Sequence, residues 1–153
     1  MAYLELKIPP LLLFLICALI IFILASVFPS LQFLFTFKLY IASLLSIGGG
    51  LIVFLGVAGF KKADTTMNPI TPDASSSLVT RGIYAYSRNP MYLGFLLILL
   101  SMTVYLSNII AYSVPPLFCL YLHRFQIKPE EKVLSASFGS AYADYQNKVR
   151  AWI

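Results

Sequence analysis

Three groups of residues have types and spacings suited to chemistry. The first is Ser87-Arg88-Asn89-Pro90-Met91-Tyr92. Asn is a good helix N-cap and Pro a good first helical residue, so Asn89-Pro90 marks a helix start. The unbonded N–H groups and positive dipole end there suit a carboxylate or phosphate, and Arg88 adds a guanidinium fit for bidentate recognition. The same residues would equally serve only to cap a helix and anchor it among headgroups. The second group is Glu130-Glu131, just after Pro129. The third is the series Tyr84, Tyr86, Tyr92, Tyr142 and Tyr145, placed either to form an interfacial belt or to hold a flat ligand. His123 is the sole histidine, and Cys17 and Cys119 lie inside apolar runs. Neither a metal cluster, a disulfide framework nor a Ser/His/Asp arrangement is expected.

The elements that must position these groups follow from composition. Of 153 residues, 59% are hydrophobic and only 11% charged, against about a quarter charged in soluble domains. A water-soluble enzyme and a disordered chain are both excluded. One membrane domain over 1–153 is expected. Apolar runs at 11–28, 39–60, 91–105 and 109–122 read as spans, with a polar loop at 61–89 and a polar tail at 123–153. The first run is longer than the h-region of a signal peptide and reads as a retained span. Glycines 48, 49, 50, 56 and 59 in the second read as a close helix contact.

Residues 91–122 are too many for one span and few for two, and charge decides between them. The loop carries Lys61, Lys62, Arg81 and Arg88; the tail carries Arg124, Lys128, Lys132, Lys148 and Arg150. Cytoplasmic loops collect such residues, so both segments belong on one side and 91–122 forms a short hairpin. An all-α, polytopic protein of four spans with both termini cytoplasmic is the expectation. The net charge of +5 suits anionic lipid rather than nucleic acid.

The tail from about Pro129 reads as an interfacial helix. At about 100° per residue, Leu134, Phe138, Ala141, Tyr142, Tyr145 and Val149 share one sector roughly 100° wide. Glu131 falls inside that sector and Glu130 at its edge, so Glu131 needs a cationic or hydrogen-bonding partner, from protein or ligand.

Leu78-Val79-Thr80-Arg81-Gly82-Ile83-Tyr84 with Arg88-Asn89-Pro90-Met91-Tyr92-Leu93-Gly94, followed by Glu130-Glu131-Lys132-Val133-Leu134, Phe138-Gly139, Tyr142 and Tyr145, resembles the isoprenylcysteine carboxyl methyltransferase family. Phospholipid N-methyltransferases share a comparable layout. The resemblance, over about 65–150, implies an integral-membrane enzyme that uses S-adenosylmethionine in a pocket covered by the loop and the C-terminal helix. It implies cofactor contacts at Ser77, Leu78, Val79, Tyr84, Asn89, Pro90, Met91, Tyr92 and Glu131, to which the helix-start argument adds Arg88. The acceptor would be lipophilic or small, with membrane lipid as neighbour. In those enzymes an arginine near the acidic pair is thought to hold a substrate carboxylate. Here Gln126 and Ile127 occupy that place, and Arg124 is the nearest arginine. Glu130 and Arg124 are thus the expected catalytic pair, Glu130 as acceptor of a proton from an amine. Methylation of a phospholipid amine, or a non-catalytic scaffold, are the other readings.

Overall fold

The computed structural model describes residues 5–29, 36–62 and 78–153, and these are helical, with no strand among them. The helices are α1 (Pro10–Val27), α2 (Lys38–Lys62), α3 (Pro90–Leu106), α4 (Val114–Leu122) and α5 (Lys128–Lys148). Single 3₁₀ turns at Gly82–Ala85 and Ala111–Ser113 precede α3 and α4. Ser77, a sequence-expected cofactor contact, lies outside the described residues.

Two helices, α1 and α2, are long and apolar enough to cross a membrane. On α1 only Pro10, Cys17, Ile21 and Ala25 are buried, while Leu15, Leu19, Phe22 and Ile23 stand exposed. A helix apolar on all sides and buried on one needs an apolar solvent. α3 packs on α2 through mutual close approach. A Cβ on Gly94 would lie 2.6 Å from the Gly49 carbonyl oxygen and 2.5 Å from Val53 Cγ2. Gly56 and Gly59 abut Met91 and Tyr84, whereas Gly48 and Gly50 face open space. Three of the five glycines on α2 therefore make the expected contact; the other two do not.

The hairpin turns at Ser107, in the left-handed region with φ 51°, and Asn108. Asn108 is buried: its Oδ1 accepts from the N–H of Ile110 and Ala111, and its Nδ2 donates to the Phe28 carbonyl at 2.9 Å. That side chain closes the turn and ties it to the end of α1. Cys17, Ile21, Leu99, Phe118, Leu122 and Ile127 form the core between α1, α3 and α4.

Beyond α4 the helix does not stop where the tail was expected to begin. A π-helical segment, His123–Ile127, carries it into α5. Pro129 has no N–H to give the carbonyl of Phe125 four residues back. That carbonyl instead accepts the N–H of Leu6 at 3.1 Å, so the N-terminal segment docks where the proline leaves a vacancy. The wider π turn accommodates the proline without ending the helix.

Candidate functional site

Inside α5, Gly139 has φ 52° and ψ −126°, which breaks the helix into two arms. A single side chain shows what the break does. Arg88 donates from Nη2 to Glu131 Oε1 at 2.5 Å and from Nη1 to the carbonyls of Gln146 (3.1 Å) and Val149 (2.7 Å). Glu131 and Gln146 would be about 22 Å apart on a straight helix. One guanidinium can reach both only because the second arm folds back on the first. Leu134 and Phe138 of the first arm accordingly pack on buried Tyr142, Tyr145 and Val149, with Leu78 beneath. Ala141, expected in the apolar sector, is exposed, since the break at Gly139 resets the helical phase.

The start of α3 is the other wall. The Arg88 N–H donates to the Arg150 carbonyl at 3.1 Å, and Asn89 Nδ2 to that of Ala151 at 2.9 Å. Asn89 occupies the N-cap position, but its side chain makes no cap hydrogen bond. Its amide and the Arg88 guanidinium instead satisfy orphan carbonyls at the end of α5 and just beyond, where positive charge is favoured by the helix dipole. Both residues thus bind the tail as well as marking the helix start.

Glu130 faces inward too, a departure from its expected place at the edge of the wheel. Its Oε1 accepts from the Tyr92 hydroxyl at 2.7 Å and from Gln126 Nε2 at 2.8 Å. Burial disfavours its charged form and pushes its pKa from 4.5 up to about 7; the two hydrogen bonds pull the other way, and nearby Glu131 adds to the rise. Tyr92 and Glu130 therefore join the two sequence motifs at the base of the hairpin.

The tyrosines form contacts rather than an exposed belt. Tyr84 is buried, packs edge-on against Phe60 and donates to the Gly56 carbonyl at 3.4 Å. Its own carbonyl accepts the Tyr145 hydroxyl at 2.7 Å. Burial raises the pKa of Tyr84, Tyr142 and Tyr145, so all three are neutral donors at physiological pH. Tyr86 alone of the series is exposed.

Leu78, Tyr84, Arg88, Asn89, Tyr92, Glu130 and Glu131 thus lie along one seam between α3, the turn before it and the two arms of α5. Pro90 is buried at the head of α3, and Met91 and Val79 lie near Gly56 and Gly59 of α2. Arg124 stands apart: it pairs with Glu5 at 3.3 Å on an exposed face and lies over the Phe125 ring. Its pairing there corrects the expectation of a joint role with Glu130. Gln126, read from sequence only as standing where an arginine was expected, is a direct partner of Glu130. The backbone carbonyls of Gln146, Val149, Arg150 and Ala151 carry no side-chain signal and were not foreseeable as partners. Among the described residues no group of His, Cys, Asp and Glu has metal-binding geometry.

A family model described as phospholipid methyltransferase matches residues 37–141, a stretch that includes both Arg88 and Glu131. An uncharacterized protein of Haemophilus influenzae is 44% identical over 63 residues, which cover 41% of this chain and all of that protein. The protein-S-isoprenylcysteine O-methyltransferase of Schizosaccharomyces pombe is 40% identical over 79 residues, 50% of this chain and 32% of that protein. The aligned part thus spans about a third of the yeast enzyme. No solved structure matches.

Proposed function

The chain belongs to the phospholipid methyltransferase family, and on that premise we propose that it transfers the methyl group of S-adenosylmethionine to a lipophilic or small acceptor at the membrane. The carrying observation is the union of the two motifs: Arg88 meets Glu131 and Tyr92 meets Glu130 across the base of the hairpin. The residues suit the donor. Its polar end carries both signs of charge, and the seam offers a carboxylate, a guanidinium and a buried donor, Arg88 Nε, that no described residue satisfies. Leu78, Val79, Tyr84, Asn89, Pro90, Met91 and Tyr92, with Ser77 by resemblance, would surround the rest. When bound, the cofactor supplies an electrophilic methyl on a sulfonium.

The protein's own contribution is positioning, exclusion of water and control of one proton. Resemblance to the isoprenylcysteine enzymes points to a carboxylate acceptor, which needs no base. The surroundings of Glu130 favour a second reading. A carboxyl, an amide and a phenol meet there, and the nearby Arg88 is engaged by Glu131. Such a setting suits an amine, whose ammonium must first give its proton to Glu130, as in methylation of a phospholipid amine. We read four crossings, with the loop and both termini on the cytoplasmic side.

The test is binding of S-adenosylhomocysteine by the purified protein, followed by labelled-methyl transfer into membrane lipids, thiols and prenylated peptides. Affinity in the micromolar range with label in any one acceptor class supports the reading. Absence of binding by a folded protein overturns it in favour of a scaffold.

A further inference from the structure

Arg88 carries five N–H donors in a planar fork. Nη1 holds the carbonyls of Gln146 and Val149, and Nη2 holds Glu131, whereas Nε is buried without an acceptor among the described residues. A buried donor left without a partner is costly and marks a place where an acceptor belongs. The Nε and Nη2 hydrogens leave the same edge of the fork, the edge that matches two carboxylate oxygens. Here that edge is half used, by one oxygen of Glu131.

Resting on the methyl-donor reading above, we propose that the Arg88–Glu131 pair opens to receive the zwitterionic amino-acid end of the donor, and that this seating is coupled to docking of the folded-back arm of α5. The ligand carboxylate takes the Nε–Nη2 edge, and its ammonium takes Glu131. Positive and negative groups then alternate, so no charge is left buried and alone. The same guanidinium keeps its other nitrogen on the last turn of α5. A carboxylate on the side edge fixes the plane of the fork and so steadies the arm; an undocked arm leaves Arg88 free to swing. Seating and docking each favour the other, as linkage requires.

The experiment compares S-adenosylhomocysteine with 5′-methylthioadenosine, which keeps the adenosine and thioether but lacks the amino-acid end. For the full chain in detergent, S-adenosylhomocysteine should bind about 100-fold more tightly, the scale of charged hydrogen bonds. It should slow amide exchange over residues 140–151, and 5′-methylthioadenosine should not. Arg88→Lys keeps the charge but loses the edge, so its preference should fall to about 10-fold or less. Should that variant not fold, Glu131→Gln provides the same comparison. Equal affinity of the wild type for both ligands, or a full preference kept by the folded variant, overturns the opened pair and leaves the donor reading standing. Binding of neither ligand overturns the donor reading itself. Exchange over 140–151 that responds equally to both ligands overturns the coupling.

Discussion

The Tyr92 hydroxyl donates to Glu130 Oε1 at 2.7 Å, tying the first turn of α3 to the first turn of α5. The partner is a carboxyl that burial holds at a pKa of about 7 instead of 4.5. Between those values the native state keeps a proton that the unfolded chain has released. Stability from this group is therefore full below about 4.5 and is lost as pH rises to about 7. The whole change is of order 3 kcal/mol at most. Glu130→Gln cannot titrate, so subtracting its unfolding midpoints from those of the wild type isolates the effect. The wild type should lose ground to the variant between about pH 4.5 and 7. A difference that is flat, or of opposite sign, removes Glu130 from its buried setting. If Glu130 also takes the acceptor's proton, methyl transfer should rise over the window in which stability falls.

The α2–α3 crossing yields a paired prediction on one helix. Gly49→Ala would place a methyl 2.7 Å from the Gly94 carbonyl oxygen, a backbone atom that cannot turn aside. Overpacking of this kind costs about 1–3 kcal/mol. Gly50→Ala, facing open space one residue on, should be neutral or stabilising by up to about 1 kcal/mol through helix propensity. Unfolding of both variants in one detergent checks the pair. Equal effects would mean that the two helices do not touch through Gly49.

How far the sequence reaches depends on what each feature needs. The limits of α1, α2 and α3 fall within a few residues of the apolar runs, because a chain so poor in charge has few other ways to satisfy its backbone in an apolar solvent. Ser107-Asn108 was legible as an interruption. That Asn108 would hold Phe28 was not, since the bond depends on where α1 ends in space. Arg88 and Glu131 were each singled out, on separate grounds, 43 residues apart. Their pairing follows from the hairpin, but the share of Arg88 taken by Gln146 and Val149 follows from the fold-back at Gly139. A helical wheel assumes an unbroken helix, so it placed Ala141 inside the apolar sector and Glu130 at its edge. Pro129 looked like a helix start; the π turn and the N–H of Leu6 let the helix run through it.

The four-crossing arrangement makes a topological prediction. Ten of the eleven Lys and Arg residues fall on one side under it, leaving Lys38 on the other, and such residues mark the cytoplasmic side. A cysteine at position 148, as Lys148→Cys, should be shielded from an impermeant thiol reagent in intact cells and react once the membrane is opened. Labelling in intact cells above the wild-type background would reduce residues 91–122 to a single crossing.

Gly139 tests whether the fold-back organises the site. Its φ of 52° with ψ of −126° lies where a side chain is strained, although no neighbouring atom would obstruct an added Cβ. A cost of about 1–3 kcal/mol is expected for Ala in that conformation. The alternative for Gly139→Ala is to straighten the helix, and a straight α5 would carry Gln146 about 22 Å beyond Glu131. Arg88 would then lose its two carbonyl partners, and the cluster of Tyr142, Tyr145 and Val149 would leave Leu134 and Phe138. We expect Gly139→Ala to expose residues 140–153 to protease and to weaken S-adenosylhomocysteine binding, while α1, α2 and α3 keep their helicity. Ser140→Ala, next in the chain and exposed, is the control and should change neither. A Gly139→Ala protein with wild-type protease resistance and affinity would show that the two arms stay folded without the glycine, and the strain argument would be wrong.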